Sequence, residues 1–165
     1  MERIEKQPRH VTGFSLTELL IVICGAAIIA GIGIPVLGTL RDGYGIVMAA
    51  QQITTELQFA RMKSVSSNEP LRVTFDANSN TYHIDTSGGT TLAGPFNLPR
   101  GITWNTSAGD PITFPGDFVT FNPGGEVPTT GNGSAGQVSI TNRAGLIIDV
   151  TVSPAGQIQT SPSHH

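Results

Sequence analysis

The residue of this chain that most needs a chemical explanation is Glu18. It is a single carboxylate near the start of the apolar, helix-length run Gly13 to Pro35, GFSLTELLIVICGAAIIAGIGIP. No charged side chain follows from Leu19 to Ile34. With Phe14 to Thr17 in front, the segment approaches the roughly 20 apolar residues that cross a bilayer. An ionisable group inside such a helix costs on the order of 2.5 to 3.5 kcal/mol, so it needs a partner or a functional reason. The chemistry open to it is charge pairing in a low-dielectric setting.

Other groupings of reactive side chains are weaker. Gly131-Asn132-Gly133-Ser134-Ala135-Gly136 fits G-x-G-x-x-G, but no helix follows to present its N-terminus to a phosphate, so a loop is the better reading. Asp76, Asn78 and Asn80 imitate the first ligands of an EF-hand loop, yet Thr81 and Ser87 stand where that loop needs Gly and Glu. A hairpin turn accounts for them. His83 and Asp85 share one face of a predicted strand, and two ligands do not make a metal site, so a solvated strand face is expected there. No spacing ties a nucleophile to a base. The sequence therefore gives no metal site, no cofactor and no enzymatic activity as its expectation.

The elements that must position Glu18 follow from composition and pattern. The chain has 165 residues and a net charge of −3, which gives no general electrostatic reason to expect a nucleic-acid partner. Cys24 is the only cysteine, so no intrachain disulfide forms and packing alone must hold the fold. Residues 1–13 are polar, carry Arg3, Lys6 and Arg9, and read as a leader. Those charges favour a cytoplasmic N-terminus. Residues 14–37 form the apolar half of a long helix, in which Gly31, Gly33 and Pro35 predict a kink or local melting. Residues 38–68 form an amphipathic half. Its apolar face, Ile46, Ala50, Ile53, Leu57, Ala60 and Ser64, repeats at three and four. Gln51, Gln52, Thr55, Glu56 and Lys63 fall on the solvated side, and Asn68-Glu69-Pro70 stops the helix.

From residue 69 to 165 the signals are β. Leu71–Phe75 and Thr81–Asp85 alternate around a turn at Asp76–Asn80. Short strands are predicted at Ile102–Trp104, Ile112–Phe114, Phe118–Phe121, Val138–Thr141, Leu146–Val152 and Gln157–Thr160. Pro123–Gly136 is predicted to be a mobile loop. The fold class is α+β, a long N-terminal helix packed against an antiparallel β-sheet head.

Gly13-Phe14-Ser15-Leu16-Thr17-Glu18-Leu19-Leu20 resembles the class III signal of type IV pilins and type II secretion pseudopilins. The resemblance implies that a membrane prepilin peptidase cuts after Gly13 and methylates the new terminus at Phe14. Glu18 then becomes the fifth mature residue, and Pro35 falls at the twenty-second, where that family commonly has a proline. It further implies that the Phe14 amine of one subunit pairs with Glu18 of its neighbour and sets the stagger. Leaving either charge unpaired in low dielectric would cost about 3 to 5 kcal/mol. The stretches LQFARMKSVSSNEPLRVTF, LPRGITW, VTFNPGGEV and VTVSPAGQI, in that order, are similar to the H-type minor pseudopilins and the related FimT-like minor pilins.

The expectation is thus a structural minor subunit that assembles through its helix into a secretion pseudopilus or a type IV pilus, with a tip or initiation role. Its implied partners are other pilin or pseudopilin subunits, the prepilin peptidase and an inner-membrane assembly platform. It would sit in the bacterial inner membrane as a single-pass protein with a periplasmic head. The rivals are a DNA-capturing FimT-like pilin, a major pilin, and a simply anchored exported domain. The head offers only Arg72, Arg100 and Arg143 as cations, which disfavours nucleic acid. The joint placement of Gly13, Glu18 and Pro35 disfavours simple anchoring.

Overall fold

The structure, a computed structural model, describes residues 14–107 and 109–161, with side chains described for all of these except 32–42. Helix α1 spans Leu16–Ser67. Among the described residues eight strands follow: β1 (Leu71–Asp76), β2 (Thr81–Thr86), β3 (Thr91–Asn97), β4 (Ile102–Trp104), β5 (Phe118–Phe121), β6 (Gly136–Asn142), β7 (Ile147–Val152) and β8 (Ile158–Thr160). By its internal contacts the chain divides into two units, Met1–Thr39 and Leu40–His165, and α1 contributes to both.

Within the second unit the predicted apolar face of α1 is the floor of the core. Ile46, Ile53, Leu57, Ala60 and Ser64 are fully buried and Ala50 nearly so, with Ala49 beside them. The helix stops where its signals place the stop. The Glu69 amide donates to the Ser64 carbonyl at 3.2 Å and Asn68 adopts a left-handed φ of 52°, a Schellman-type cap that turns the chain toward β1.

The strands form two four-stranded antiparallel sheets, in the orders β3-β2-β1-β5 and β4-β6-β7-β8. One continuous core joins α1 to both through Val73, Phe75, Ile84, Val119 and Phe121 on the first sheet and Val138, Ile140, Ile148, Val150 and Val152 on the second. Phe75 is its aromatic centre. It stacks on Phe114 at 5.5 Å and meets the edge of Trp104 at 5.9 Å. The Trp104 indole donates to the Asp76 carbonyl at 2.9 Å, and the Trp104 amide to Asn80 Oδ1 at 3.3 Å, tying the sheets together.

The β1–β2 hairpin turn is closed by Asp76, whose carboxylate accepts from the Ser79 hydroxyl at 2.7 Å and the Asn78 amide at 2.9 Å. Those bonds, the Ser79 one first, hold its pKa below the ordinary aspartate value. The EF-hand imitation is therefore a turn. One strand falls outside the sequence reading, and two expectations change. Thr91–Asn97 is a strand although its Gly-Pro step argues against one. It survives because it is an edge, with the proline at a place where no further strand asks for its amide. Ile112–Phe114 makes only one bridge, Ile112 to Val138. Pro123–Gly136, predicted mobile, is bonded into the head: the Val127 amide donates to the Pro154 carbonyl at 3.0 Å and the Gly133 amide to the Pro115 carbonyl at 2.9 Å.

Candidate functional site

The first unit presents Glu18 on a helix start built by local rules. The Ser15 carbonyl accepts the amides of Glu18 at 3.0 Å and Leu19 at 3.1 Å, which makes Ser15 the N-cap and places Glu18 three residues in. The spacing Ser-x-x-Glu is that of a capping box, and a carboxylate in the first turn also faces the positive end of the helix dipole. The Ser15 hydroxyl is held by Thr17 Oγ1 at 2.8 Å. Glu18 itself is exposed, and among the described residues its carboxylate has no ion-pair partner; the ion pair found there joins His83 and Asp85.

Around that carboxylate the helix is apolar on every side. Phe14 is 84 % exposed, Leu16 81 % and Ile21 71 %, and Leu19, Leu20, Val22, Ile23, Ile28 and Ile29 are also exposed. A helix that is hydrophobic all round needs an apolar medium or other helices about it. The site can therefore pair charge. Among the described residues, no helix is long and apolar enough to cross a membrane. The run Leu19–Gly31 spans roughly 20 Å at about 1.5 Å per residue, against a hydrocarbon core of roughly 30 Å.

The other predicted site residues fall as follows. Gly13 lies outside the described residues. Phe14 directly precedes the Ser15 cap. Gly31, Gly33 and Pro35 lie within α1, roughly 20 Å or more along the helix from Glu18 at about 1.5 Å per residue, so the fold does not bring them together with it. A Cβ added at Gly31 would meet nothing within 4 Å.

In the second unit, sequence reasoning missed a second apolar surface. Tyr44, Met48 and Met62 are 70 %, 63 % and 64 % exposed, and Val47, Phe59 and Val65 are exposed beside them. These residues lie on the side of α1 that does not meet the core. Their spacing of three, four and eleven was the available signal, hidden by the glutamines and threonines between them. At the end of this surface Arg61 reaches back to the head: its Nε donates to the Gly125 carbonyl at 2.8 Å. The buried hydroxyl of Ser64 lies 2.8 Å from the Arg61 carbonyl and 3.1 Å from that of Asn122.

His83 and Asp85 do meet, with His83 Nε2 3.0 Å from Asp85 Oδ2. The face they share is not the solvated one expected. Asp85 is 7 % exposed, set into the sheet by register irregularities between β2 and β3, and it also accepts from the Thr74 hydroxyl at 3.1 Å. Among the described residues no group of three or more His, Cys, Asp or Glu side chains is placed to hold a metal ion. Of the three head arginines, Arg72 lies over the Phe118 ring at 4.1 Å, leaving Arg100 and Arg143 as the exposed pair.

The family model of the type II transport protein GspH matches residues 49–156. No curated protein matches the chain. Among solved structures, the type IV minor pilin FimU of Pseudomonas aeruginosa superposes with a TM-score of 0.53 at 18 % identity, covering 74 % of this chain and 92 % of that one. A second crystal form of the same pilin gives 0.50 at 20 % identity over 70 % and 91 %. The minor pseudopilin EpsH from the type 2 secretion system of Vibrio cholerae gives 0.50 at 14 % identity, covering 69 % of this chain and 94 % of that one. At these identities the likeness to the solved structures is one of fold: an N-terminal helix packed on antiparallel sheet.

Proposed function

Because the chain belongs to the GspH family of type II transport proteins, whose model spans residues 49–156 of it, we infer that it is a minor subunit built into a pseudopilus or type IV pilus through α1. It is a structural, pilin-like subunit and not an enzyme. The observation that carries the assembly reading is the first unit's exposed apolar sleeve with one carboxylate in its first turn. Such a surface is satisfied by lipid before assembly and by neighbouring helices after it. In this reading the prepilin peptidase cuts between Gly13 and Phe14, and Phe14 becomes the N-methylated terminus. Its ammonium pairs with Glu18 of an adjacent subunit and fixes the stagger. Gly31, Gly33 and Pro35 are the place where α1 bends or unwinds as it leaves the membrane.

The chain then sits in the inner membrane with a cytoplasmic N-terminus and a periplasmic head, delivered to the filament by the assembly platform and placed at or near its tip. The exposed apolar surface from Tyr44 to Val65 in the second unit supports the same reading, since such a surface suits contact with neighbouring subunits. Mass spectrometry of the mature N-terminus tests it directly. An N-methylated Phe14 is the expected species; an unprocessed chain, or one cut after the apolar run, would overturn processing at Gly13.

A further inference from the structure

The second sheet turns its core residues, Val138, Ile140, Ile148 and Val150, inward, so the intervening Gln137, Ser139, Ile147 and Asp149 lie on its other face. Asn105, Pro111 and Thr113 bond to the edge of β6 beside that face. The Asn105 amide donates to the Ser139 carbonyl at 2.8 Å, the Ser139 amide to Pro111 at 2.8 Å, and the Thr113 amide to Gln137 at 2.9 Å. Between the sheet face and these residues is a cleft of about 250 Å³. That is below the roughly 300 to 1,000 Å³ of pockets that enclose small-molecule ligands, and suited to a single long side chain.

The lining is one-signed. Asp110 and Asp149 supply two carboxylates, and among the described residues no Lys, Arg or His lines the cleft. Asp110 Oδ1 is engaged by the Ile112 amide at 3.0 Å. The Asp149 carboxylate is half-buried and has no partner among the described residues; only its backbone is bonded, to Ser161. Asn105, 4 % exposed, and Ser139 add neutral oxygens, and Ile147 forms an apolar wall. An aliphatic wall leading to unpaired carboxylate oxygens matches a stem of methylenes that ends in a cation.

We propose that this cleft seats one lysine or arginine side chain presented by a partner protein, and that it is a docking point of the head separate from α1. Charge complementarity selects the occupant: the half-buried Asp149 anion has no partner among the described residues, and a cationic tip pairs it while the stem covers Ile147. The assignment holds whether or not the chain assembles through its helix.

The test is a titration of the full ¹⁵N-labelled chain in detergent micelles with blocked Gly-Arg-Gly and Gly-Lys-Gly peptides, followed by amide chemical shifts. Gly-Gln-Gly and Gly-Glu-Gly peptides, glucose and calcium chloride are the comparison arms. Saturable shifts at Gln137, Ser139 and Asp149 with the basic peptides alone are expected. Asp149→Asn, which keeps the shape of the side chain, should bind about three- to fivefold more weakly. Asp110→Asn with Asp149→Asn should abolish saturation, and Glu69→Gln on the exposed turn after α1 should change nothing. Absence of saturation with both basic peptides, equal shifts with Gly-Gln-Gly, saturation by calcium or glucose instead, or an unaffected double variant would each overturn the proposal.

Discussion

Replacing Arg61 by alanine removes a side chain that ties the end of α1 to the Gly125 turn of the head. Its Nε–H reaches the Gly125 carbonyl at 2.8 Å, whereas its contact with the Ala155 carbonyl, at 3.5 Å, is too long to count for much. A hydrogen bond from a charged donor is worth about 1.5 to 3 kcal/mol. Arg61 is half-exposed, so water reaches part of the vacated space and the lower end applies, about 1.5 to 2 kcal/mol. The loss is local. Residues 122–127 and 153–157, which also share the bond from the Val127 amide to the Pro154 carbonyl, should open more often while the rest of the sheets stays closed. By hydrogen–deuterium exchange of the full chain in detergent, amides of these two segments should exchange about 10- to 30-fold faster in Arg61→Ala. Arg61→Lys, which keeps the charge but loses the planar fork, should recover only part of the protection. Unchanged exchange in both segments, an equal acceleration throughout the head, or full recovery by lysine would refute the reasoning.

Glu18→Ala should leave cleavage after Gly13 intact and impair incorporation into filaments, read by mass spectrometry and by immunoblot of sheared filaments; normal incorporation would remove the register role. Met62→Lys, at an exposed position, should leave thermal stability within about 0.5 kcal/mol of the parent while reducing incorporation, if the Tyr44–Val65 surface is an assembly surface. Gly156 adopts a φ of 71° and a Cβ there would collide with the Gly125 carbonyl, so Gly156→Ala should cost more than about 1 kcal/mol in a denaturant titration. Burial, and after it the Glu56 carboxylate, push the Tyr82 phenol above its ordinary value of 10.0, with Gln52 opposing them. The unfolded chain then ionises first, so stability should hold up to about pH 10 and fall above it, and Tyr82→Phe should flatten that fall.

The parts of this fold that are legible in the sequence are those specified by short-range pattern. The stripe from Ile46 to Ser64 is buried along its length because a helical repeat fixes which residues face one way. The Asp76–Asn80 turn and the stop at Asn68 are equally local, carried by side chains that bond the backbone a few residues away. What could not be read depends on distant partners. β5 returns to pair with β1 across more than forty intervening residues, and nothing near Phe118 signals that choice, which is why two sheets were not distinguished from one. β3 shows no alternation because both its faces are largely exposed. Asp85 looked solvated because alternation assigned it a face, whereas the irregular β2–β3 register sinks it. Around Glu18 the sequence spoke clearly about charge in an apolar run, whereas the start of the helix at Ser15, whose carbonyl accepts the Glu18 and Leu19 amides, became visible only in the structure.

Trp104 has a practical consequence of a different kind. It is the sole tryptophan of the chain and is 3 % exposed, with its indole bonded to a carbonyl of the other sheet. The protein therefore carries a built-in optical reporter at the seam of its head. Selective excitation of that indole yields emission that shifts to the red when the two sheets part. A ligand in the Asp110–Asp149 cleft or a neighbour on the outer side of α1 that leaves the seam closed leaves the emission where it was. Assembly and head unfolding can thus be told apart by colour, without a label.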